Sequence, residues 1–275
     1  MKKPTKVFDP QKFDYRAFIE HNFLINDEVK LVPFLFRPPQ NIYYNQRSND
    51  DTILKARQEG FSSVIDAIFT VDFLLRPNSY SVIVADIDDN AQGLLERVKL
   101  YLDSWQSKNK IKIPLKYNNK NELFNQAIHS QFKIGTAENV DFGRSKTFTN
   151  LHLSEVAYYR NLKAILAGAG SAVMEGGRTI LETTANGYNA FRTFWYDNNG
   201  FKKHFFAAKD FYNPEFLALK KLKLGELYPQ EYPESPEEAF LLSGHPYFDV
   251  KAIKHLADIY QRVPIREAEI YAADI

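Results

Sequence analysis

From Asp51 the chain alternates short apolar runs with longer stretches of helical period, and this alternation constrains its fold more than any other feature. Thr52 to Ala56 reads as a strand and Arg57 to Gly60 as a turn. Ser62 then caps a helix carrying Val64, Ile65, Ile68, Phe69 and Phe73. Ser81 to Ala85 reads as a buried strand, after which Asp88 or Asp89 caps a helix holding Leu94, Leu95, Val98, Leu102 and Trp105. Lys108 to Lys120 is basic and loop-like, and short strands follow near Leu123 and over Phe132 to Gly135. Leu151 to Leu153 and Arg178 to Thr183 are strands, with a helix over Leu162 to Val173 between them and another over Gly187 to Asn198 after them. Such a pattern predicts an α/β fold, a mainly parallel sheet with helices on both faces.

The flanks read differently. Asp9-Pro10 starts a helix, Phe13, Phe18 and Phe23 supply aromatic anchors, and a strand over Lys30 to Phe36 is broken by Arg37-Pro38-Pro39. After about Gly200, Pro229, Pro233 and Pro236 punctuate a segment leading to a short helix from Pro236 to Leu242, and residues from Val250 read as a helix and a loose end. The expected divisions are an extension over 1–50, a core over 51–200, a small C-terminal subdomain over 201–250 and a linker over 251–275.

Composition narrows the chemistry. A chain of 275 residues with 44% apolar side chains holds a substantial core, and 35 Lys plus Arg against 34 Asp plus Glu argues against a globally basic nucleic-acid coat. Cysteine is absent, which excludes disulfides, thiolate nucleophiles and cysteine zinc sites. No apolar run approaches the roughly 20 residues that span a bilayer, and Met1-Lys2-Lys3-Pro4 is not followed by an apolar signal segment. A soluble, cytoplasmic protein is expected.

Three segments carry candidate chemistry. Leu54 to Ser63 is a strand, a turn with Gly60, and a helix start bearing Ser62 and Ser63. A phosphate binder needs this arrangement of free N–H groups, a helix N-terminus, a nearby cation and a hydroxyl for Mg²⁺. The standard phosphate loop lacks its first glycine here, and Phe61 stands where its lysine belongs; Lys55 and Arg57 lie upstream as alternative cations. Leu151-His152-Leu153-Ser154-Glu155 is an apolar strand ending in a carboxylate, with Ser154 where an aspartate is usual. Glu182-Thr183-Thr184-Ala185-Asn186-Gly187 ends the next strand in polar side chains. Separately, these are also an ordinary strand–turn–helix connection, a solvated glutamate and a turn. In order, each falls at the C-terminal edge of a parallel sheet, where α/β folds bind ligands.

Other clusters have simpler accounts. Asp86, Asp88 and Asp89 form a carboxylate cluster that could bind two metals, though helix capping after a strand explains them more simply. The six histidines (His21, His129, His152, His204, His245 and His255) have no partners at metal-ligand spacing. Lys202-Lys203 and Lys220-Lys221-Lys223 read as solvated helix faces rather than DNA contacts, while Tyr158-Tyr159-Arg160, Phe191, Phe194 and Trp195 read as packing.

Lys55 to Ser63 resembles the deviant Walker A loop of the large terminase subunit of tailed bacteriophages, the ATPase of the DNA-packaging motor. His152 to Ala157 is similar to that family's Walker B strand, and Thr183 to Gly187 to its coupling motif. Pro33-Phe34 with Pro39-Gln40 resembles its adenine-reading segment, and Glu237 to Phe240 with Ser243-Gly244 and Phe248-Asp249 its post-core signature. The resemblance covers roughly residues 10 to 250 and implies a P-loop NTPase of the ASCE type, with the core binding ATP and Mg²⁺ and residues 201–250 forming a lid. It implies that Gln40 reads adenine and that Lys55 or Arg57 contacts phosphate, within an ATP-binding loop of Gln58, Glu59, Gly60, Phe61, Ser62 and Ser63. Ser62, with Ser63 as the fallback, and Glu155 would serve Mg²⁺; Glu155 would also polarise the attacking water, and Thr183, Thr184 and Asn186 would couple hydrolysis to movement. Arg144 resembles an arginine finger acting on a neighbouring subunit, and equally a surface-loop arginine.

The partners implied are double-stranded DNA, a portal protein, a small terminase subunit and copies of the chain in a ring on the procapsid, with no membrane. The place implied is the cytoplasm of an infected bacterium, not the mature virion. Family members carry a ribonuclease H-type nuclease after the ATPase, and ending at Ile275 this chain is expected not to cleave DNA. Two other readings stay open: a helicase-like or remodelling ATPase, which shares the core, and a non-catalytic scaffold that binds DNA or portal, suggested by Phe61 and Ser154.

Overall fold

A computed structural model describes residues 8–27, 29–139 and 146–240. Its first helix, α1 (Tyr15–Asn22), is capped by Asp14, whose carboxylate accepts from the Ala17 N–H, so it starts five residues later than Asp9-Pro10 suggests. Strands β1 (Leu24–Asp27) and β2 (Lys30–Pro33) pair as a separate antiparallel hairpin. The strand expected to reach Phe36 stops at Pro33, and Pro38 and Pro39 begin α2 (Pro38–Gln46), where a missing N–H costs nothing.

The core follows as β3 (Asp50–Lys55), α3 (Phe61–Leu75), β4 (Tyr80–Ala85), α4 (Asp88–Asn109), β5 (Leu115–Asn118), β6 (Glu122–Asn125), β7 (Ser130–Thr136), β8 (Phe148–Ser154), α5 (Leu162–Gly168), β9 (Val173–Thr183), α6 (Ala190–Tyr196) and β10 (Lys202–Phe206). Eight strands form one sheet in the order β10-β3-β9-β8-β4-β7-β6-β5. Pairing is parallel from β10 to β7 and antiparallel over β7-β6-β5. The sheet has the mainly parallel α/β architecture expected, and β9 lies between β3 and β8, so all three motif-bearing strand ends share one edge.

Several local expectations are corrected. Gly60, in a left-handed conformation with φ +74°, is the N-cap of α3, and Ser62 lies inside the first turn. Ile87 is the N-cap of α4; Asp88 and Asp89 sit in its first turn, where their charge favours the positive end of the helix dipole. The helix expected to reach Val173 stops at Gly168, followed by a 3₁₀ turn over Gly170–Ala172. Asn189 caps α6, which spans seven residues rather than twelve. The basic stretch before Lys120 holds β5, and Lys202-Lys203 opens the parallel edge strand β10, so the core sheet runs past residue 200.

Alternation along the strands divides the core into two layers. Ile53, Ile83 and Ile180 face α3, α4 and the N-terminal aromatics, whereas Leu54, Val82, Val84, Leu153 and Leu181 face α5 and α6. Thirteen of the fifteen residues of α3 are buried, so its polar side chains must find partners inside the protein. Asp72 does so with Tyr15, Asn150 and Arg178. Three short helices, α7 (Pro214–Leu224), α8 (Tyr228–Glu231) and α9 (Pro236–Phe240), complete the described chain. Leu217, Tyr228 and Tyr232 pack with Ala208 on Ala56, next to the loop between β3 and α3. Among the described residues no helix is long and apolar enough to cross a membrane.

Candidate functional site

A cleft of about 510 Å³ opens at the C-terminal edge of the sheet. Lys55, Arg57, Gln58 and Ser62 come from the β3–α3 connection, Ser154, Glu155, Tyr158 and Thr184 from the ends of β8 and β9 and the turns after them. Asp86, Asp89, Asn90, Gly93, Leu94 and Arg97 form the opposite wall.

The two candidate phosphate cations behave differently. Lys55, the last residue of β3, is 4% exposed, with its ammonium 3.3 Å from Glu155 and 3.1 Å from Glu182. Burial pulls its pKa down, but the Glu182 and Glu155 carboxylates outweigh that and hold it firmly charged. Arg57 is 61% exposed, and its guanidinium reaches Glu231 at 2.5 Å. Its backbone N–H donates to the Glu231 carbonyl, and its own carbonyl accepts from the Tyr212 hydroxyl, so the C-terminal helices grip the loop directly.

Phe61, at the position of the standard lysine, points away from the cleft's charges. It is fully buried among Tyr43, Phe206 and Phe211, with ring centroids at 5.9, 4.6 and 5.6 Å. Gln40 is 3% exposed; its amide donates to the Glu59 carbonyl at 2.8 Å and accepts from the Arg37 N–H, anchoring the loop to α2. A Cβ on Gly60 would meet that amide at 2.9 Å, so Gly60 answers both to backbone conformation and to Gln40. Gln58 also holds positive φ. Glu59 is buried, and its carboxyl rises to about 9 because of that burial, so it is neutral at pH 7. Ser63 is buried, and its carbonyl accepts from Tyr101.

Glu155 follows β8 in a left-handed conformation, φ 57°, a strained geometry for a non-glycine residue. Burial raises its carboxyl pKa against the pull of Lys55. Its Oε2 accepts from the Thr183 hydroxyl at 3.3 Å and the Thr184 N–H at 3.3 Å. Thr184 also meets the Tyr158 hydroxyl, and Asn186 and Asn189 donate to the Ala157 carbonyl. The strand-end residues of β9 therefore touch Glu155 and the turn after it. Arg144 lies outside the described residues, as do the segment after Phe240 and its histidines.

Sequence reasoning missed the central acid. Glu182 is fully buried, and its Oε1 accepts from Ser62 at 2.8 Å and from Ser154 at 2.6 Å. His152 lies beneath it, with Nδ1 2.9 Å from Asp66 and Nε2 3.5 Å from Glu182. Burial works against protonation of this ring, yet Asp66 raises it to about 9. Burial likewise opposes ionisation of Glu182, and Lys55 with His152 and Ser154 overcomes it, holding the carboxyl well below its ordinary range. Arg97, 3.3 Å from Asp66, closes the row on the far wall of the cleft. The available signal was period: His152, Ser154 and the register partner Glu182 occupy one face of adjacent strands.

The remaining clusters take structural roles. Asp86 and Asp88 accept from Asn90 and Gln92 one helical turn on, and no group of three acidic or histidine side chains among the described residues is placed to hold a metal. Phe191 and Trp195 are core, Tyr159 donates to the Val84 carbonyl, and Lys220 lies over the Phe216 ring.

No protein-family model matches the sequence, and no curated protein matches it. Solved structures do. The large terminase ATPase domain of Thermus phage P74-26, in a mutant form, is similar with a TM-score of 0.57 at 17% identity, over 72% of this chain and 93% of that one. The large terminase of bacteriophage HK97 is similar with a TM-score of 0.58 at 16% identity, over 91% of this chain and 51% of that one. A large terminase of a thermophilic bacteriophage in complex with ATP-γ-S gives 0.51 at 13% identity, over 70% of this chain and 51% of that one. At these identities the likeness is one of fold: the chain shares the α/β fold of these large terminase structures.

Proposed function

We propose that this chain is the ATP-hydrolysing domain of a large terminase, whose turnover drives double-stranded DNA into a procapsid. The observation that carries the reading is the meeting of Lys55, Ser62, Glu155 and Thr184 around one cleft, from three segments far apart in the sequence. ATP would lie over the β3–α3 connection, with Lys55 and Arg57 supplying positive charge to its phosphates. Two contacts of the Lys55 ammonium go to carboxylates, which leaves a third N–H for a phosphate oxygen.

Glu155 suits the general base. Its burial favours the proton-bound form, and Lys55 and Thr184 keep it poised at the cleft rather than dispersed into solvent. The oxygen-only donors Ser62 and Ser154 fit Mg²⁺, a hard cation that prefers oxygen ligands. Bound there, Mg²⁺ would neutralise charge on the phosphoryl oxygens. Thr183 and Thr184 would register the state of Glu155 through their contacts with it. Portal protein, a small terminase subunit and a ring of copies on the procapsid, in the host cytoplasm, are the setting this reading entails, with Arg144 reaching a neighbouring subunit.

Titration with a fluorescent ATP analogue and Mg²⁺ tests the proposal beside Arg57→Ala and Glu155→Gln. Saturable binding that Glu155→Gln keeps while losing turnover supports it. No binding by a folded wild-type chain overturns it in favour of a non-catalytic scaffold, and duplex unwinding would favour a helicase-like ATPase.

A further inference from the structure

Ser154 leaves the end of β8 without the acid usual there, yet the cleft does not lack a carboxylate. Glu182 sits one strand away as the register partner of Ser154, and neighbouring strands are only about 4.8 Å apart. Its Oε1 is the shared acceptor of two hydroxyls, Ser62 at 2.8 Å and Ser154 at 2.6 Å, while Lys55 lies 3.1 Å from its Oε2. Glu182 has no solvent exposure, whereas both serines line the cleft.

A hydroxyl has one proton and two lone pairs. Each serine spends its proton on Glu182, so toward the cleft each can act only as an electron-pair donor. Two such oxygens, tethered to one carboxylate atom, suit a hard divalent cation.

We propose that Glu182 is the positioning carboxylate of a divalent-cation site whose protein ligands are the hydroxyls of Ser62 and Ser154, the acid having moved from the end of β8 to the end of β9. The assignment rests on the nucleotide-binding reading above. It differs from a purely structural role for Glu182 as the ion-pair partner of Lys55, which would affect folding and nucleotide binding without regard to metal.

The test is the affinity of the full chain for a fluorescent ATP analogue with and without Mg²⁺, together with direct binding of Mn²⁺ followed by electron paramagnetic resonance. Glu182→Gln should reduce the metal-dependent gain in nucleotide affinity, and Mn²⁺ affinity, by about 10–100-fold, the usual effect of losing a residue that orients a metal ligand, over and above any change in metal-free affinity that follows from loss of the Lys55 contact. The double variant Glu182→Gln with Ser154→Asp keeps the charge of the site and returns the acid to β8; it should recover most of the metal-dependent gain. Glu182→Gln with an undiminished metal-dependent gain overturns the assignment, as does a double variant that is folded by circular dichroism yet recovers nothing. Wild type that binds nucleotide equally with and without metal overturns this assignment alone, whereas wild type that binds no nucleotide overturns the ATPase reading with it.

Discussion

Lys55 Nζ lies 3.1 Å from Glu182 Oε2, a contact between the last residue of β3 and the penultimate residue of β9 in which both side chains are nearly or wholly buried. Removing one partner of a buried pair strands the other's charge, at a cost of about 3–5 kcal/mol. Lys55→Met is therefore expected to lower thermal stability by that order and to abolish nucleotide binding. Adding Glu182→Gln should return part of the stability and none of the binding, which thermal denaturation and ligand titration separate.

Arg57 presents the opposite case. Its side chain is 61% exposed and its partner is Glu231, so the pair contributes about 0–1 kcal/mol to stability. Arg57→Ala should leave the melting temperature nearly unchanged and weaken nucleotide binding. A large loss of stability with unaltered binding would assign Arg57 to the grip of the C-terminal helices alone.

Phe61 invites restoration of the standard lysine, and the structure predicts that this fails. The position is enclosed by Tyr43, Phe206 and Phe211, with no carboxylate among these ring contacts. Phe61→Lys should destabilise by at least the roughly 3–5 kcal/mol of a large-to-small core change, because the new ammonium is also desolvated. Chemical denaturation would measure it; tighter ATP binding at unchanged stability would contradict the placement.

Glu59 sets a pH dependence. Its carboxyl moves from 4.5 to about 9 in the folded chain through burial, so between those values the folded state holds a proton that the unfolded state releases. Stability from this group is full below pH 4.5 and falls as pH rises toward 9, by about 1.4 kcal/mol per unit. Glu59→Gln should flatten the fall, so that its advantage over wild type in ligand-free melting temperature grows from pH 6 to pH 9.

The parallel core was legible because β3, β4, β8 and β9 are apolar runs between helices of clear period. β10 was not: two lysines open it and His204 interrupts it, and only the sheet reveals that His204 meets Asp51 at 2.9 Å and Phe206 lies beneath Phe61. The start of α1 was misplaced because Asp9 and Asp14 offer the same chemistry locally, and tertiary packing decides between them. At the site, Lys55, Ser62, Glu155 and Thr184 were all named and are brought together. Glu182 was named only as part of a polar strand end and given no role, since its meaning depends on which strand lies beside β8. Strand order is a long-range property, absent from any one segment. Gln40 was named as an adenine reader, while its amide is engaged with Glu59 and Arg37.

The position of β3 also governs when the cleft can be completed during synthesis. β3 occupies residues 50–55, but its two neighbours are β9 at 173–183 and β10 at 202–206. The loop that begins at Lys55 thus emerges from the ribosome more than a hundred residues before either flanking strand exists to support it. Loops closed over such separations are slow to form. Until Phe206 is available, Phe61 lacks one wall of its enclosure, and the nascent chain must carry an apolar strand and a nearly all-buried helix without their final cover. Growth of the chain, rather than the arrival of any ligand, is then the first gate on this site.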